Sequence, residues 1–350
     1  AFGMSVFSVV MVSQAFFEIP TGIYSDFIGR KRTLLYGSLA GFFSALLIAL
    51  GHSYFVLVIS AVFAGLTRAF YSGNNDALLY ETLEDLNIND KYHDYLGKLG
   101  SFFQIGLAVS AVSGSLLAAW SFTLLVWVRI LPSLIRVILS LLMTNPRHRS
   151  QKSGNVYAHL SSSFQLLWRN KKLRLVSLQD ILSFGIGESA FQFTSAFINT
   201  VWPLWAIGIS KALSYIGGFT GFWFSGKIIS RLGRFKTLLL SNIYAFTINL
   251  ISTVFPTPLS PVLMSTTSII YGSATTATNS LMQQEFTDKE RATLSSINSF
   301  FGSLFFAVFS VGLGFIADIL NPTKALIFAT ICVLPILYIN LVLFNSYKDI

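Results

Sequence analysis

The hydrophobic residues of this chain fall into runs of about 20 residues, the length that crosses a hydrocarbon core of ~30 Å as a helix. The strands of a membrane barrel would alternate apolar and polar residues over ~10 positions, and these runs do not alternate. Because lipid offers the backbone no hydrogen-bond partner, a spanning run satisfies its own amide and carbonyl groups as a helix. Charged residues make up only 11% of the chain, whereas a soluble domain carries about 25%. The sequence therefore predicts an all-α membrane protein.

Eleven segments of this kind predict eleven membrane helices. Short connections such as GHSY and AWS carry no Lys or Arg, whereas the connections IGRKR and RLGRFK are basic. The predicted helices span residues 3–24, 33–51, 54–80, 99–119, 122–144, 173–201, 208–230, 236–255, 261–284, 293–317 and 323–345.

The basic residues indicate the orientation of the chain. Of the 24 Lys and Arg, nineteen fall on the side of the loop GRKR, Lys211 and Lys324 fall on the other side, and Arg68, Arg129 and Arg136 lie within or at the edges of helices. Positively charged loops stay in the cytoplasm, so we predict a multi-pass protein of the cell (inner or plasma) membrane with a cytoplasmic C-terminus. The net charge of +9 is then a signal for orientation and lipid contact, and no nucleic-acid partner is expected.

The two halves of the chain repeat one plan. The stretches GIYSDFIGRKR (22–32) and GKIISRLGRFK (226–236) align without gaps at an offset of 204 residues. At the same offset Asn75 matches Asn279 and Glu81 matches Glu285. One offset that serves two separate segments indicates a duplication.

The repeat also predicts the domain organisation. We expect an N-terminal helical bundle over 1–145, a cytoplasmic linker over 146–172 with a short interfacial helix from Tyr157 to Trp168, and a C-terminal helical bundle over 173–350. The second half has a helix that begins 53 residues before Gly226, and the equivalent position in the first half falls before Ala1. The expected fold is therefore two pseudo-symmetric six-helix bundles, of which the first helix is missing from this chain.

The loop GIYSDFIGRKR joins two predicted helices on the cytoplasmic side. Its glycines permit a tight turn and close helix approach, while Asp26, Arg30 and Arg32 place charges where helix ends carry partial charges. The pattern GxxxDxxGRKR, with a degenerate copy 204 residues later, resembles the signature loop of the major facilitator superfamily. The resemblance spans the whole chain, and the stretches 17–31 and 72–86 are similar to prokaryotic members described as drug-efflux-like.

The resemblance implies a loop that switches between conformations. In the family the acid of this loop forms charge interactions that lock one state, a role that falls here to Asp26 with Arg30 as its companion. Ser230 replaces the acid in the second copy, so no symmetric lock is expected there. The switch-loop residues are Gly22, Asp26, Gly29, Arg30, Arg32, Gly226, Gly233 and Arg234.

The resemblance also implies that the first helix of each three-helix unit lines the cavity, which selects the segments 54–80, 173–201 and 261–284. These segments carry unusual polarity, and a charge at the bilayer centre costs about 2.5–3.5 kcal/mol, so it is seldom there without a use or a partner. The candidates for proton coupling or for lining the cavity are Glu188, Asp76, Arg68, Asp180, Asn75, Gln192, Tyr271 and Asn279.

Three of these candidates invite a more specific interpretation. Glu188 lies about 22 Å along its helix and has no basic residue on that helix within two turns, so it either carries protons or serves as a structural hydrogen-bond partner. Arg68, Ser72 and Asp76 recur every four residues and share one helical face. Arg68 and Asp76 then form either a structural ion pair or a functional one.

Carboxylates near the predicted cytoplasmic helix ends have plainer interpretations. Glu18 lies one turn before Gly22, where a packing or gating contact is expected before a substrate contact. Glu81 and Glu285 are expected to be interfacial charges, as is routine at helix ends.

These observations favour a secondary active transporter that works by alternating access, with two halves that rock about a midplane site. The first hypothesis is proton-coupled export of a small lipophilic molecule by antiport. The alternatives are uptake or uniport of a polar metabolite, or a non-transporting membrane receptor or scaffold on the same fold. The sequence shows no Walker loop, nucleophile–base pair or metal-binding cluster, so we expect no enzyme activity, cofactor or metal. The expected partners are a small-molecule substrate, protons and the lipid bilayer, with the chain acting as a monomer.

Overall fold

The computed structural model describes residues 2–51, 53–72, 74–88, 92–144, 167–285 and 291–347. The regular structure of these residues is helical, and no strand occurs among them. The predicted linker and its interfacial helix lie outside the described residues, apart from their last few positions. The helices are α1 Phe2–Ile28, α2 Arg30–Leu50, α3 Tyr54–Tyr71, α4 Asn74–Asp85, α5 Tyr92–Trp120, α6 Phe122–Val128, α7 Ile130–Leu142, α8 Lys171–Ile198, α9 Ile207–Leu232, α10 Arg234–Val254, α11 Ser260–Glu285, α12 Arg291–Ile319, α13 Pro322–Ile331 and α14 Leu334–Ser346, with a 3₁₀ turn at Leu204–Ala206.

Each of the eleven predicted segments is helical, which confirms the all-α fold class. The prediction of one continuous helix over 54–80 is wrong, because α3 ends at Tyr71 and α4 begins at Asn74. Ser72 between them has φ −60° and ψ 126°, and this extended ψ ends the run of helical hydrogen bonds. Because the helix breaks between Tyr71 and Asn74, residues four apart on either side of the break do not share a helical face. The single face predicted for Arg68, Ser72 and Asp76 is therefore wrong.

Two other predicted segments are divided without a change to extended backbone. The segment 122–144 consists of α6 and α7, and Arg129 at their junction keeps helical φ and ψ of −59° and −24°. The segment 323–345 consists of α13 and α14, which meet at Cys332 and Val333. Pro335 lies in the first turn of α14 and lacks the amide hydrogen that a continuous helix would use.

The internal repeat is visible in the helix boundaries. Helices α2 and α10 both contain 21 residues, and their ends correspond at the offset of 204. Each helix follows a glycine with positive φ, Gly29 with φ 91° and Gly233 with φ 78°. The hydroxyls of Thr33 and Thr237 then donate to the carbonyl oxygens of those glycines, at 3.0 and 2.7 Å. The two loops therefore share one backbone geometry.

Helices α9 and α11 cross closely because glycines leave room where they meet. A methyl group on Gly221 would strike the carbonyl oxygen of Ile269, and one on Gly272 would lie 2.5 Å from the amide nitrogen of Phe222. This crossing places Tyr271 against α9, where its ring meets the Phe222 ring edge to face at a centroid distance of 6.3 Å.

The chain divides into two compact units. The N-terminal unit comprises Phe2–Phe103 and Leu117–Ser153, and the C-terminal unit comprises Gln104–Leu116 and Gly154–Ile350 together with Ala1. The middle of α5 thus belongs to the C-terminal unit, where a methyl group on Gly208 of α9 would strike the backbone and side chain of α5 at Ala111 and Ser115. The predicted domain boundaries stay a prediction.

By length and composition, seven spans among the described residues could cross a membrane. They are Arg30–Leu50, Tyr54–Tyr71, Phe102–Trp120, Phe122–Leu142, Arg234–Val254, Ile297–Ile319 and Pro322–Ser346. The long helices α8, α9 and α11 fall outside this set, because polar side chains interrupt their apolar sequence. Helices α8 and α11 come from the segments predicted to line the cavity.

Candidate functional site

A lysine side chain of α9 contacts α8 in the C-terminal unit. Nζ of Lys211, in the second turn of α9, donates a hydrogen bond to the carbonyl oxygen of Phe191 on α8 at 2.8 Å. The same ammonium lies 3.3 Å from the centroid of the Phe191 ring and interacts electrostatically with the Glu188 carboxylate. Lys211 therefore projects from α9 onto the polar face of α8.

This arrangement adds a cation from a second helix to the surroundings of Glu188, and the two roles predicted for Glu188 stay open. No cation lies on the same helix within two turns, but Lys211 supplies one from α9. The sequence places Lys211 at the non-cytoplasmic end of the predicted helix 208–230, and in the structure it is half-buried in the second turn of α9. Spacing along one helix could not reveal a partner that comes from its neighbour.

The turn between α8 and α9 explains why the two side chains meet. Asn199 follows the last residue of α8 and keeps a helical backbone. Pro203 then precedes the 3₁₀ turn with an extended backbone, φ −65° and ψ 155°. The indole nitrogen of Trp202 donates to the carbonyl oxygen of Pro258 at 2.7 Å and ties this turn to the start of α11. Lys211 follows as the fifth residue of α9, opposite the last turns of α8.

Tyr271 of α11 belongs to the same charged environment. The carboxylates of Glu188 and Asp180 both act electrostatically on its phenol. The Tyr271 side chain is exposed on α11. Asp180 lies eight residues before Glu188 on α8, about 12 Å along the helix axis. Three predicted residues, Asp180, Glu188 and Tyr271, thus join Lys211 in one cluster, which we call the α8–α9 charge cluster.

The other predicted polar residues of the C-terminal half lie near this cluster along the chain. Gln192 is half-buried on α8, one turn beyond Glu188, and Asn279 is exposed on α11, two turns beyond Tyr271. Their roles as cavity-lining residues stay predictions.

In the N-terminal unit a carboxylate meets the break between α3 and α4. The hydroxyl of Ser72 donates to Oε1 of Glu18 on α1 at 2.8 Å, and the hydroxyl of Thr21 donates to the carbonyl oxygen of Ala69 at 3.1 Å. Glu18 thus makes the contact between helices that was predicted for it.

The remaining predicted residues of this region are more dispersed. Arg68 is exposed, with Nη1 at 3.7 Å from the sulfur of Met11. Asn75 is exposed at the start of α4, and the side chain of Asp76 lies outside the described residues. The alternatives for Arg68 and Asp76 therefore stay open.

The switch loop is anchored by a buried ion pair that the sequence interpretation missed. Nη2 of Arg30 lies 2.9 Å from Oε1 of Glu81, whose side chain is only 3% exposed, and Nε donates to the same oxygen at 3.0 Å. The interpretation of Glu81 as a routine interfacial charge is therefore wrong. The match of Glu81 with Glu285 in the repeat was the available signal.

Two further side chains complete this network. Nη1 of Arg30 donates to the hydroxyl of Ser25 at 2.8 Å, and that hydroxyl donates to Oδ1 of Asn74 at 2.7 Å. Nδ2 of Asn74 donates a hydrogen bond to the carbonyl oxygen of Arg30 at 3.4 Å. We call Ser25, Arg30, Asn74 and Glu81 the Arg30–Glu81 network.

The other switch-loop residues have mixed outcomes. Arg32 is exposed and Arg234 is half-buried at the start of α10. Gly22 lies within α1, and the surroundings of Gly22 and of the Asp26 side chain are not described. A methyl group on Gly226 would meet no atom within 4 Å, so that glycine is not needed for close packing in this structure.

Comparison with known proteins gives a family and a fold. The model of the Major Facilitator Superfamily matches residues 1–310. A probable 4-methylmuconolactone transporter from Cupriavidus pinatubonensis is 25% identical over 268 residues, which cover 71% of this chain and 59% of that protein. An uncharacterised transporter from Buchnera aphidicola is 28% identical over 129 residues, or 37% of this chain and 32% of that protein. Each match therefore spans less than two thirds of the relative's length.

Among solved structures, a variant of the nucleoside transporter NupG is similar with a TM-score of 0.83 and 14% identity, over 98% of this chain and 91% of that one. The Escherichia coli fucose:proton symporter FucP is similar with a TM-score of 0.56 and 17% identity, over 99% of this chain and 93% of that one. At these identities the likeness concerns the fold alone.

Proposed function

The chain belongs to the major facilitator superfamily, and from this premise we propose that it is a secondary transporter that moves a small polar organic solute together with protons. Transport proceeds by alternating access. The α8–α9 charge cluster couples the solute to the proton, and the Arg30–Glu81 network takes part in the conformational switch.

The observation that carries the proposal is the charge placed within α8 and α9. The Lys211 ammonium is held against α8 by the Phe191 carbonyl oxygen at 2.8 Å, where the charge of Glu188 acts on it, in a part of the fold where ionisable groups are costly and commonly mark pathways for ions or substrates. A structural role alone is a weak explanation, because apolar side chains of similar volume stabilise a buried contact as well as an ion pair does.

The pair can act as a proton-dependent contact between helices. When Glu188 binds a proton it becomes neutral and its attraction for the Lys211 ammonium falls. Lys211 also holds the Phe191 carbonyl oxygen at 2.8 Å, so a change at Glu188 acts on both helices. A proton that binds the two conformations with different affinity shifts their populations by that difference.

The polar chemistry of the cluster supports uptake of a polar solute over the export of a lipophilic one. Two carboxylates, an ammonium and the Tyr271 phenol offer charged and hydrogen-bonding partners. The similar proteins include a probable 4-methylmuconolactone transporter, a nucleoside transporter and a fucose:proton symporter, which agrees with a small polar solute.

Proton-coupled export of a small lipophilic molecule is the second candidate. The rings of Phe191 and Tyr215 lie 6.3 Å apart beside the cluster, and the Phe222 and Tyr271 rings are also 6.3 Å apart. Aromatic surfaces of this kind bind apolar solutes.

The direction of proton movement separates the two candidates. The purified chain is sealed in liposomes that contain the pH indicator pyranine, and L-fucose, uridine, shikimate or ethidium is added outside. Symport of a polar solute acidifies the lumen, whereas exchange of ethidium for protons makes it alkaline. Liposomes without protein give the background.

The Glu188→Gln variant then tests the coupling. It keeps the size of the side chain and fixes a neutral state, so the proton signal is expected to vanish while exchange of radiolabelled solute across the membrane continues. A full proton signal in the variant would assign the coupling to another residue. If no solute of any class moves in the parent, the transport proposal itself is wrong.

A further inference from the structure

We propose that Lys211, Phe191 and Tyr215 form a binding subsite for a small organic anion, in which Lys211 holds a carboxylate and the two rings hold a ring of the solute. The inference rests on the proposed transport function and names the substrate class for the same cluster.

The first step concerns the ammonium of Lys211. An ammonium has three N–H donors and no acceptor, and one donor is satisfied by the Phe191 carbonyl oxygen at 2.8 Å. The Phe191 ring, with its centroid 3.3 Å from Nζ, covers one side of the charge through its negative face. These two contacts fix the ammonium in place and use one of its three N–H donors.

The second step concerns the aromatic surface. Tyr215 lies one turn after Lys211 on α9, and its ring meets the Phe191 ring at a centroid distance of 6.3 Å and an angle of 65°. Both side chains are half-buried, so each leaves part of its ring free for contact. A planar solute that contacts this surface can bring a carboxylate to Lys211, since the ammonium lies directly over one of the two rings.

The third step concerns charge balance. A solute carboxylate that pairs with Lys211 brings a second negative charge to the surroundings of the half-buried Glu188 carboxylate, and two carboxylates that share one site cannot both stay ionised without cost. Uptake of one proton by Glu188 removes that cost, so one monoanion and one proton enter together and the net charge of the subsite does not change. The charge of Glu188 also acts on the phenols of Tyr215 and Tyr271, and the charge of Asp180 acts on the phenol of Tyr271.

A neutral solute would not match this arrangement as well. It would either leave the Glu188–Lys211 pair intact or separate the two charges without replacing them. Specific binding through Lys211 is therefore expected to require an anion.

Binding of matched acids and amides to the purified full chain in detergent tests the subsite. The probes are benzoate and 2-furoate, each paired with its neutral amide, and binding is measured as the rise in Tm with probe concentration. We expect the acids to bind at least about tenfold more tightly than the amides, because a charge-assisted hydrogen bond is lost in the amide. Lys211→Gln is expected to remove the preference, and Lys211→Arg to retain most of it.

Lys227→Gln is the matched control. Lys227 lies on the same helix and is exposed, with Nζ 5.6 Å from the Phe224 ring, but it follows Lys211 by sixteen residues, more than four turns along α9. The control is expected to bind both acids as the parent does. The Tm of each variant without probe shows whether it has folded, and Lys211→Arg provides a second measurement if Lys211→Gln has not.

Equal binding of acids and amides, binding of neither, or full acid binding by Lys211→Gln would overturn the anion subsite. If these results came with proton-coupled accumulation of fucose or uridine in liposomes, the transport proposal would stand and only the anion class would fall. Acid binding that depends on Lys211, without accumulation of any solute, would instead retain the subsite and contradict transport.

Discussion

The two halves of the chain share the geometry of one loop but place their charged pairs differently. Gly29 and Gly233 both adopt positive φ before a helix of 21 residues. In the N-terminal unit the ion pair lies at the start of α2, between Arg30 and Glu81. In the C-terminal unit the pair Glu188–Lys211 lies within α8 and α9. The comparison shows that a repeat can keep the backbone of a loop while its ionisable side chains take on different tasks.

A second difference concerns α3 and its counterpart α11, the helices that come after α2 and α10 in the chain. In the first half the chain breaks at Ser72, whereas position 276 at the same offset lies inside the continuous helix α11. Ser72 directs its hydroxyl to Glu18 of another helix at 2.8 Å, while Thr276 donates within its own helix to the Gly272 carbonyl oxygen at 2.8 Å. The first half thus replaces a local hydrogen bond with one between helices.

The largest expected effect on stability comes from Glu81. Glu81→Gln removes the buried carboxylate that binds the Arg30 guanidinium through two nitrogens, and the free energy of unfolding is expected to fall by roughly 3 kcal/mol. Arg30→Met combined with Glu81→Leu should recover much of that loss, because apolar side chains then replace both members of the pair. Denaturation in detergent measures both.

Glu84→Gln, one turn later on α4 and half-buried, is the control and is expected to change stability little. A Glu81→Gln protein as stable as the parent would remove the Arg30–Glu81 network from the comparison.

The shared loop geometry predicts equal effects of alanine in both halves. Gly29→Ala and Gly233→Ala each force a side chain into φ of 91° and 78°, and each is expected to cost about 1–3 kcal/mol. Gly226→Ala is the control, because a methyl group there meets no atom within 4 Å and alanine favours a helix by up to about 1 kcal/mol over glycine. Unequal costs at positions 29 and 233 in thermal or chemical denaturation would show that the two loops are not equivalent.

The broken helix predicts a smaller asymmetry. Ser72→Ala removes the hydrogen bond to Glu18 and is expected to cost about 1 kcal/mol. Thr276→Ala at the corresponding position removes only a bond within its helix and should be close to neutral. Denaturation curves of the two variants, measured side by side, check the difference, and equal costs would contradict it.

The smallest expected effect on stability belongs to the switch-loop acid. Asp26→Asn is expected to slow transport while the folded amount in the membrane stays nearly unchanged, because a lock biases two folded states by only a few kcal/mol. Single-cysteine accessibility from each side of the membrane reports the shift. Ser230→Ala in the second loop is the counterpart, for which no change is expected. Unchanged accessibility and transport in Asp26→Asn would reduce this residue to an orientation signal.

What the sequence could predict follows from the range of each interaction. Hydrophobic run length is a local property, so it located all eleven helical segments, and the offset of 204 located the second copy of the loop. The partner of Glu188 comes from α9 and the partner of Arg30 comes from α4, and no spacing along one helix encodes such contacts. The break at Ser72 was missed because Ser and Gly within an apolar run are tolerated in membrane helices as well as at their ends.

The most direct test of the account compares two carboxylates in one transport assay. Solute-driven proton movement and solute exchange are measured in liposomes that contain the parent, Glu188→Gln or Glu81→Gln. If Glu188 couples and Glu81 supports the switch, Glu188→Gln abolishes proton movement and keeps solute exchange, whereas Glu81→Gln slows both by the same factor. Glu188→Gln that moves protons with solute as the parent does would contradict the central claim.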